Sequence, residues 1–135
     1  MGTSAKKATV LIIDDEQSIV DVYKETLKRA GFNVRVLLVD MSNSNSALDI
    51  IADLVRTHGI SCVITDYNMP GINGIQIIEM LRKLEEKEGL PMGMVLSTGE
   101  PSAELILNCI KYKVHFLVKP VSIATLQKVV RQAIS

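Results

Sequence analysis

Five times along this chain a short apolar run rich in β-branched residues gives way to a stretch with helical spacing, and that alternation limits the fold more than anything else in it. The runs are ATVLII (8–13), VRVLLV (34–39), ISCVIT (60–65), MGMVLS (92–97) and VHFLV (114–118). None alternates polar with apolar, so each reads as a strand covered on both faces rather than one lying on a half-wet surface. Helical spacing falls at 16–30, 47–55 (the helix ending near His58-Gly59), 74–84, 103–112 and 123–134, with the polar loop MSNSNS (41–46) before the second. In the first helix Ile19, Val20, Val22, Tyr23, Leu27 and Ala30 carry the period, and Gly31 stands where a C-cap belongs. Strand and helix in strict alternation predict an α/β fold, a parallel sheet with helices packed on both faces.

The 135 residues suffice for one domain with a real core, and 47% of them are apolar. Fifteen Lys and Arg balance fifteen Asp and Glu, so no net charge draws the chain to nucleic acid or to an anionic membrane. The basic pair Lys6–Lys7 lies beside a start that reads as a solvated tail. No run is long and apolar enough for a membrane span, and MGTSAKK lacks a secretory core. Cys62 and Cys109 each lie among apolar neighbours and read as buried thiols. These features together lead to the expectation of a cytoplasmic protein.

Chemistry in an open parallel sheet gathers beyond the carboxyl ends of the strands. There the sequence puts Asp14, Asp15 and Glu16 after the first strand and Asp66 after the third. It puts Ser97 and Thr98 after the fourth and Lys119-Pro120 after the fifth, while Asp40 follows the second, toward an edge. Taken singly these have ordinary readings: an Asp pair caps a helix, a Thr turns a loop, a Lys faces water. Taken together they crowd three carboxylates, and two such charges about 4 Å apart repel by roughly 4 kcal/mol at an effective dielectric near 20. One lysine does not neutralise three acids. An all-oxygen site with few carboxylates suits Mg²⁺ (or Mn²⁺), which keeps waters and shares phosphate oxygens. Phosphoryl transfer to an aspartate follows, because it needs mainly positioning and neutralisation of the equatorial oxygens. In VITDYNMPGINGIQII (63–78), Asp66 is the nucleophile, since the rigid Met69-Pro70-Gly71 turn holds the next loop clear of it. Asp14 and Asp15, on the neighbouring strand, are the better metal holders.

DD at 14–15, D-x-N-M-P-G-x-x-G at 66–74, S-T-G at 97–99 and K-P at 119–120 resemble, in this order and spacing, the receiver domain of two-component response regulators (CheY-like). The resemblance covers 9–134 and leaves 1–8 as a flexible N-terminal tail. It implies the flavodoxin-like (βα)5 fold, a doubly wound five-stranded sheet of order 2-1-3-4-5. It implies that Asp66 is the phosphoacceptor, supplied by a sensor histidine kinase, a phosphotransfer protein or a small phosphodonor. Asp15, Asp66 and the Asn68 backbone would bind Mg²⁺ directly, and Asp14 largely through water. Thr98 would hydrogen-bond one phosphoryl oxygen and Lys119 would pair with another. The Lys119–Pro120 peptide would be cis, and Phe116 would be the switch aromatic coupled to Thr98. Asn68 and Glu100, flanking the site, look like those of stand-alone chemotaxis-type receivers with a short-lived phosphoryl group.

Departures from the family pattern are local. Asn73 stands where Asp is commoner and still suits a helix cap; LLVDMSNSNSAL is long and lacks the usual Gly; the Gly-Ala expected before the fifth strand is absent at Lys113–Val114. His115, next to Phe116, reads as a surface or partly packed histidine. The function implied is a signalling switch rather than an enzyme. Phosphorylation would reshape the surface of the fourth helix, fifth strand and fifth helix, with Glu104, Asn108, Lys111, Lys128 and Arg131 as candidate output residues. The partner there is a downstream protein or an effector domain beyond this sequence, DNA-binding or enzymatic; the chain itself contacts neither nucleic acid nor membrane. A haloacid dehalogenase-like phosphatase would need an acid where Asn68 stands. A flavin module would need a Ser/Thr/Gly-rich phosphate loop where the sequence reads DDEQS.

Overall fold

The computed structural model of the protein describes residues 7–135, so most of the tail expected over 1–8 lies outside the described residues. Five strands form one parallel sheet: β1 (Thr9–Asp14), β2 (Asn33–Leu38), β3 (Cys62–Asp66), β4 (Gly93–Thr98) and β5 (His115–Val118). Their order is β2-β1-β3-β4-β5, the flavodoxin-like arrangement. Helices α1 (Gln17–Arg29), α2 (Ala47–His58), α3 (Gly74–Glu88), α4 (Ala103–Lys111) and α5 (Ile123–Ile134) follow the strands in turn.

The central strands are buried on both faces because each side chain, whichever way it points, meets a helix layer. Val10, Ile12, Cys62, Ile64, Val95 and Leu117 pack against Val20, Tyr23 and Leu27 of α1 and Leu126 and Val130 of α5. The opposite face sets Leu11, Ile13, Val63, Met94 and Leu96 against Ile51 and Val55 of α2, Ile77 and Leu81 of α3, and Leu105 of α4. Fully burying an aliphatic side chain of this size stabilises by about 1.5–3 kcal/mol, so these two layers carry the fold. Both cysteines are buried and unpaired, and burial pushes the Cys62 thiol up to about 12.

Two stretches differ from expectation, each for a local reason. α3 runs on through the charged 85–88, because Arg82 bonds Glu85 and reaches the carbonyls of Met92, Tyr112 and Lys113. α2 ends at His58 with Gly59 as its C-cap, as expected, and ties to α3 through Arg56 and Glu88 at 2.7 Å. The expected loop 41–46 winds into a 3₁₀ turn at Ser44–Ser46, with Asp40 and Asn43 bonding each other's backbone. Lys113, where the Gly-Ala pattern was missing, adopts a left-handed φ of 58°.

Candidate functional site

Side chains two apart on a strand share a face, and this places the rim residues. Asp14 continues the column of Val10 and Ile12, Asp66 that of Cys62 and Ile64, and Lys119 lies two beyond Leu117. All three therefore crown the layer under α1 and α5. Lys119 Nζ lies 3.2 Å from Asp14 Oδ2 and 3.1 Å from Asp66 Oδ1. Asp14, Asp15 and Asp66 each bring a carboxylate oxygen within 4.8 Å of the others. The backbone N–H groups of Asp15 and Glu16 both donate to Asp14 Oδ1, at 2.8 and 3.0 Å, so Asp14 also fixes the turn into α1. Asp14 and Asp66 are buried, at 1% and 6% exposure, whereas Asp15 is half-exposed. A cleft of about 220 Å³ opens over Asp15, Asp66 and Lys119, lined also by Glu16, Asn68, Thr98, Gly99 and Glu100.

The electrostatics follow from one ammonium serving three acids. Burial, and then the charge of Asp14, push the Asp66 carboxyl up to about 6. Burial also raises Asp14, although the Glu16 N–H and Lys119 pull the other way. Burial lowers Lys119, but Asp14 and Asp66 more than offset it and hold it above its ordinary value. The cluster thus sets three acids around a single lysine. A small divalent cation of oxygen preference fits this donor set, because its charge balances what Lys119 leaves over. Asp14, Asp15 and Asp66 could hold it.

The loop after Asp66 is more ordered than a simple turn. Tyr67 N–H donates to the Ser97 carbonyl at 2.9 Å. Asn68–Met69 then pairs with Ile72–Asn73 as a short antiparallel ribbon, turned at Pro70-Gly71 with Gly71 at φ 73°. Asn73 caps α3 in a full capping box with Gln76. Gly74 sits where a Cβ would lie 2.6 Å from the Asp66 carbonyl oxygen and 2.5 Å from Leu96 Cδ1. The ribbon and this close approach hold the backbone that presents Asp66.

Thr98 ends β4 on the opposite parity, toward α4, and its hydroxyl accepts the Glu100 N–H at 3.1 Å. Phe116 pairs in register with Leu96, so it faces the same side as Thr98, half-buried against the core. The Lys119–Pro120 peptide is cis. Glu104, Lys111, Lys128 and Arg131 are exposed and Asn108 half-buried. Beside them α4 also exposes Ile106, Leu107 and Ile110, apolar side chains absent from the charged set expected there.

Sequence places Tyr23 in the apolar stripe of the first helix and Ser97 at the end of the fourth strand, and gives neither hydroxyl a role. Both hydroxyls are buried, and neither finds a hydrogen-bond partner among the described residues. Ser97 shares the parity of Asp66, with which it pairs in register, and Tyr23 reaches up from α1 beneath the same rim. Burial raises the Tyr23 phenol. Strand parity was the available signal for Ser97; for Tyr23 it was the Val20-Tyr23-Leu27 stripe directed at the sheet.

Residues 10–131 match the family model of the response regulator receiver domain. Chemotaxis protein CheY-3 of Vibrio cholerae is 32% identical over 126 residues, covering 91% of this chain and 88% of that protein. A protein named two-component response regulator ARR21, from Arabidopsis thaliana, is 29% identical over 98% of this chain but only 20% of its own length. Among solved structures, that of the Vibrio cholerae chemotaxis protein CheY4 superposes with a TM-score of 0.76, at 26% identity, covering 95% of this chain and 99% of that one. The order of the strands, the acids and lysine gathered at their carboxyl ends, and these matches agree: the chain belongs to the response regulator receiver family, as a CheY-like domain of two-component signalling.

Proposed function

We propose that the domain, residues 9–134, is a phosphorylation switch in which Asp66 accepts a phosphoryl group from a histidine kinase, a phosphotransfer protein or a small phosphodonor. The observation that carries this is the Asp66 carboxylate, buried yet open to the cleft, with Lys119 Nζ 3.1 Å away and two further acids within 4.8 Å. With a carboxyl pushed up to about 6, Asp66 is mostly ionised at neutral pH yet more basic than an ordinary aspartate, which favours nucleophilic attack. An Asp66 oxygen would form the new P–O bond while the donor's P–N or P–O bond breaks and the donor keeps that electron pair. Lys119 would exchange a carboxylate partner for a phosphoryl oxygen. Thr98 would offer its hydroxyl to another. A divalent cation held by Asp14, Asp15, Asp66 and the Asn68 carbonyl would supply charge for the equatorial phosphoryl oxygens.

Downstream, the Thr98 hydroxyl and Phe116 share a sheet face with α4, so a movement of Thr98 toward the phosphoryl group would free space for the ring to turn inward. The exposed surface of α4, β5 and α5 would then shift population toward a form that a downstream protein or effector domain binds. A phosphatase reading gains nothing from the geometry, because the side chain two residues after Asp66 is an amide. Radiolabelled acetyl phosphate tests the chemistry. With Mg²⁺ the label should attach in a form that hydroxylamine releases, as an acyl phosphate must, and Asp15→Ala should abolish both labelling and Mg²⁺ binding. Hydroxylamine-stable label, or labelling undiminished in Asp15→Ala, would overturn the assignment.

A further inference from the structure

At the other end of the sheet lies a second cleft, of about 600 Å³, within the range of small-molecule sites. Lys7, Lys28, Arg35 and His58 line it, with Thr9 and Asn33 as neutral hydrogen-bonding groups and Phe32 and Val34 as an apolar wall. Among the described residues no carboxylate lines it, and none of these four basic side chains belongs to an ion pair. Arg29, beside Lys28 in sequence, is already engaged by Glu25 at 2.8 Å. The chain's charges sum to zero, so this basic cluster is a local imbalance and not a share of the overall charge.

An ordinary reading explains only part of it. Lys28 and His58 sit in the last turns of α1 and α2, where cations complement the helix dipole. Arg35 is on edge strand β2 and Lys7 precedes β1, so no helix end accounts for either. Four separate segments thus converge on one concave surface with a single sign of charge, an arrangement that focuses potential on an incoming anion. The guanidinium of Arg35 is a planar fork suited to two phosphoryl oxygens, and the lysines supply point charges around it. Thr9 and Asp14 are the two ends of β1, so the cleft lies roughly 17 Å from the carboxylate site at about 3.3 Å per residue. No phosphoryl group bound at Asp66 would fill it.

We propose that the cleft formed by Lys7, Lys28, Arg35 and His58 binds a small anion carrying two or more phosphoryl groups, a second ligand site distinct from the acidic one. Three permanent cations call for more than one negative charge on the ligand. Phe32 and Val34 leave room for a modest apolar portion beside it.

The test is a titration of the full chain with inorganic pyrophosphate in EDTA, followed by amide chemical shifts, so that no divalent ion recruits phosphate to the acids. Saturable shifts should centre on Thr9, Asn33, Arg35 and His58. The double variant Lys28→Glu with Arg35→Glu should bind roughly tenfold more weakly or worse. Lys24→Glu with Lys83→Glu makes the same change in net charge on exposed lysines outside the cleft and should bind as the parent does. Equal weakening in both variants would reduce the binding to overall charge and overturn the proposal. Shifts centred on Lys119, or no saturable shift, would overturn it as well. Co-sedimentation with vesicles containing phosphatidylinositol bisphosphate, lost in the Lys28/Arg35 variant, would identify the phosphate source as a lipid headgroup. Pyrophosphate binding without co-sedimentation would identify it as a soluble compound.

Discussion

Replacing Asp66 with Asn should make the metal-free protein more stable at neutral pH, although it removes the residue on which the proposed chemistry depends. Asn copies the shape of the protonated carboxyl and cannot ionise. In the folded protein burial and Asp14 move the carboxyl from 3.8 up to about 6. Below 3.8 the folded and unfolded chains both carry the proton. Between 3.8 and about 6 the folded chain keeps a proton that the unfolded chain has released, so stability falls as pH rises through this window. Above 6 the whole cost stands: about 3 kcal/mol at 1.36 kcal/mol per pKa unit, an upper figure because the loop can relax toward water. The relieved repulsion from Asp14 is already part of that figure, and Lys119 keeps its 3.2 Å contact with Asp14. Urea denaturation of both proteins in EDTA at pH 4 and pH 8 measures this. The variant should be ahead at pH 8, with a melting temperature higher by up to roughly 10 °C, and nearly level at pH 4. Added Mg²⁺ should close the gap at pH 8 by stabilising the parent. A variant no more stable at pH 8, or an advantage of equal size at pH 4, would refute the claim that crowded carboxylates strain this site.

Three further substitutions probe the frame around the site. Lys113→Gly should raise stability by up to about 1 kcal/mol, because relief of the left-handed φ of 58° outweighs the added freedom of the unfolded chain; a urea midpoint that falls would contradict this. Gly74→Ala should cost about 1–3 kcal/mol and slow labelling by acetyl phosphate, since the new methyl meets the Asp66 carbonyl and Leu96; unchanged stability and rate would show that the close approach is not needed. Tyr23→Phe should be neutral or stabilising by about 1 kcal/mol in urea, because it deletes a buried hydroxyl that lacks a partner; a clear loss would mean the hydroxyl is bonded after all.

The strand columns explain how much could be read in advance. Asp14, Asp66 and Lys119 were legible because each directly ends or follows an unbroken apolar run, and a parallel sheet brings such ends to one rim. The strands themselves stood out because double-sided burial leaves no polar alternation within them, and Asn73 as a cap needed only its place before a periodic segment. What escaped depends on contacts between segments far apart in sequence. The continuation of α3 through 85–88 rests on Arg82 reaching Met92, Tyr112 and Lys113. The ribbon after Asp66 needs Gly71 against Ser44, and the orphaned Tyr23 and Ser97 hydroxyls emerge only when α1 is laid on the sheet. The basic cleft draws on four segments, none of them more than weakly basic by itself.

Phosphoryl acceptance at Asp66 is the step on which the proposed switch depends. Intact-mass and peptide measurements after incubation with acetyl phosphate and Mg²⁺ should find one added phosphoryl group, on the peptide containing Asp66, in the parent and none in Asp66→Asn. An unmodified parent, or a phosphoryl group that persists in the variant, would contradict it.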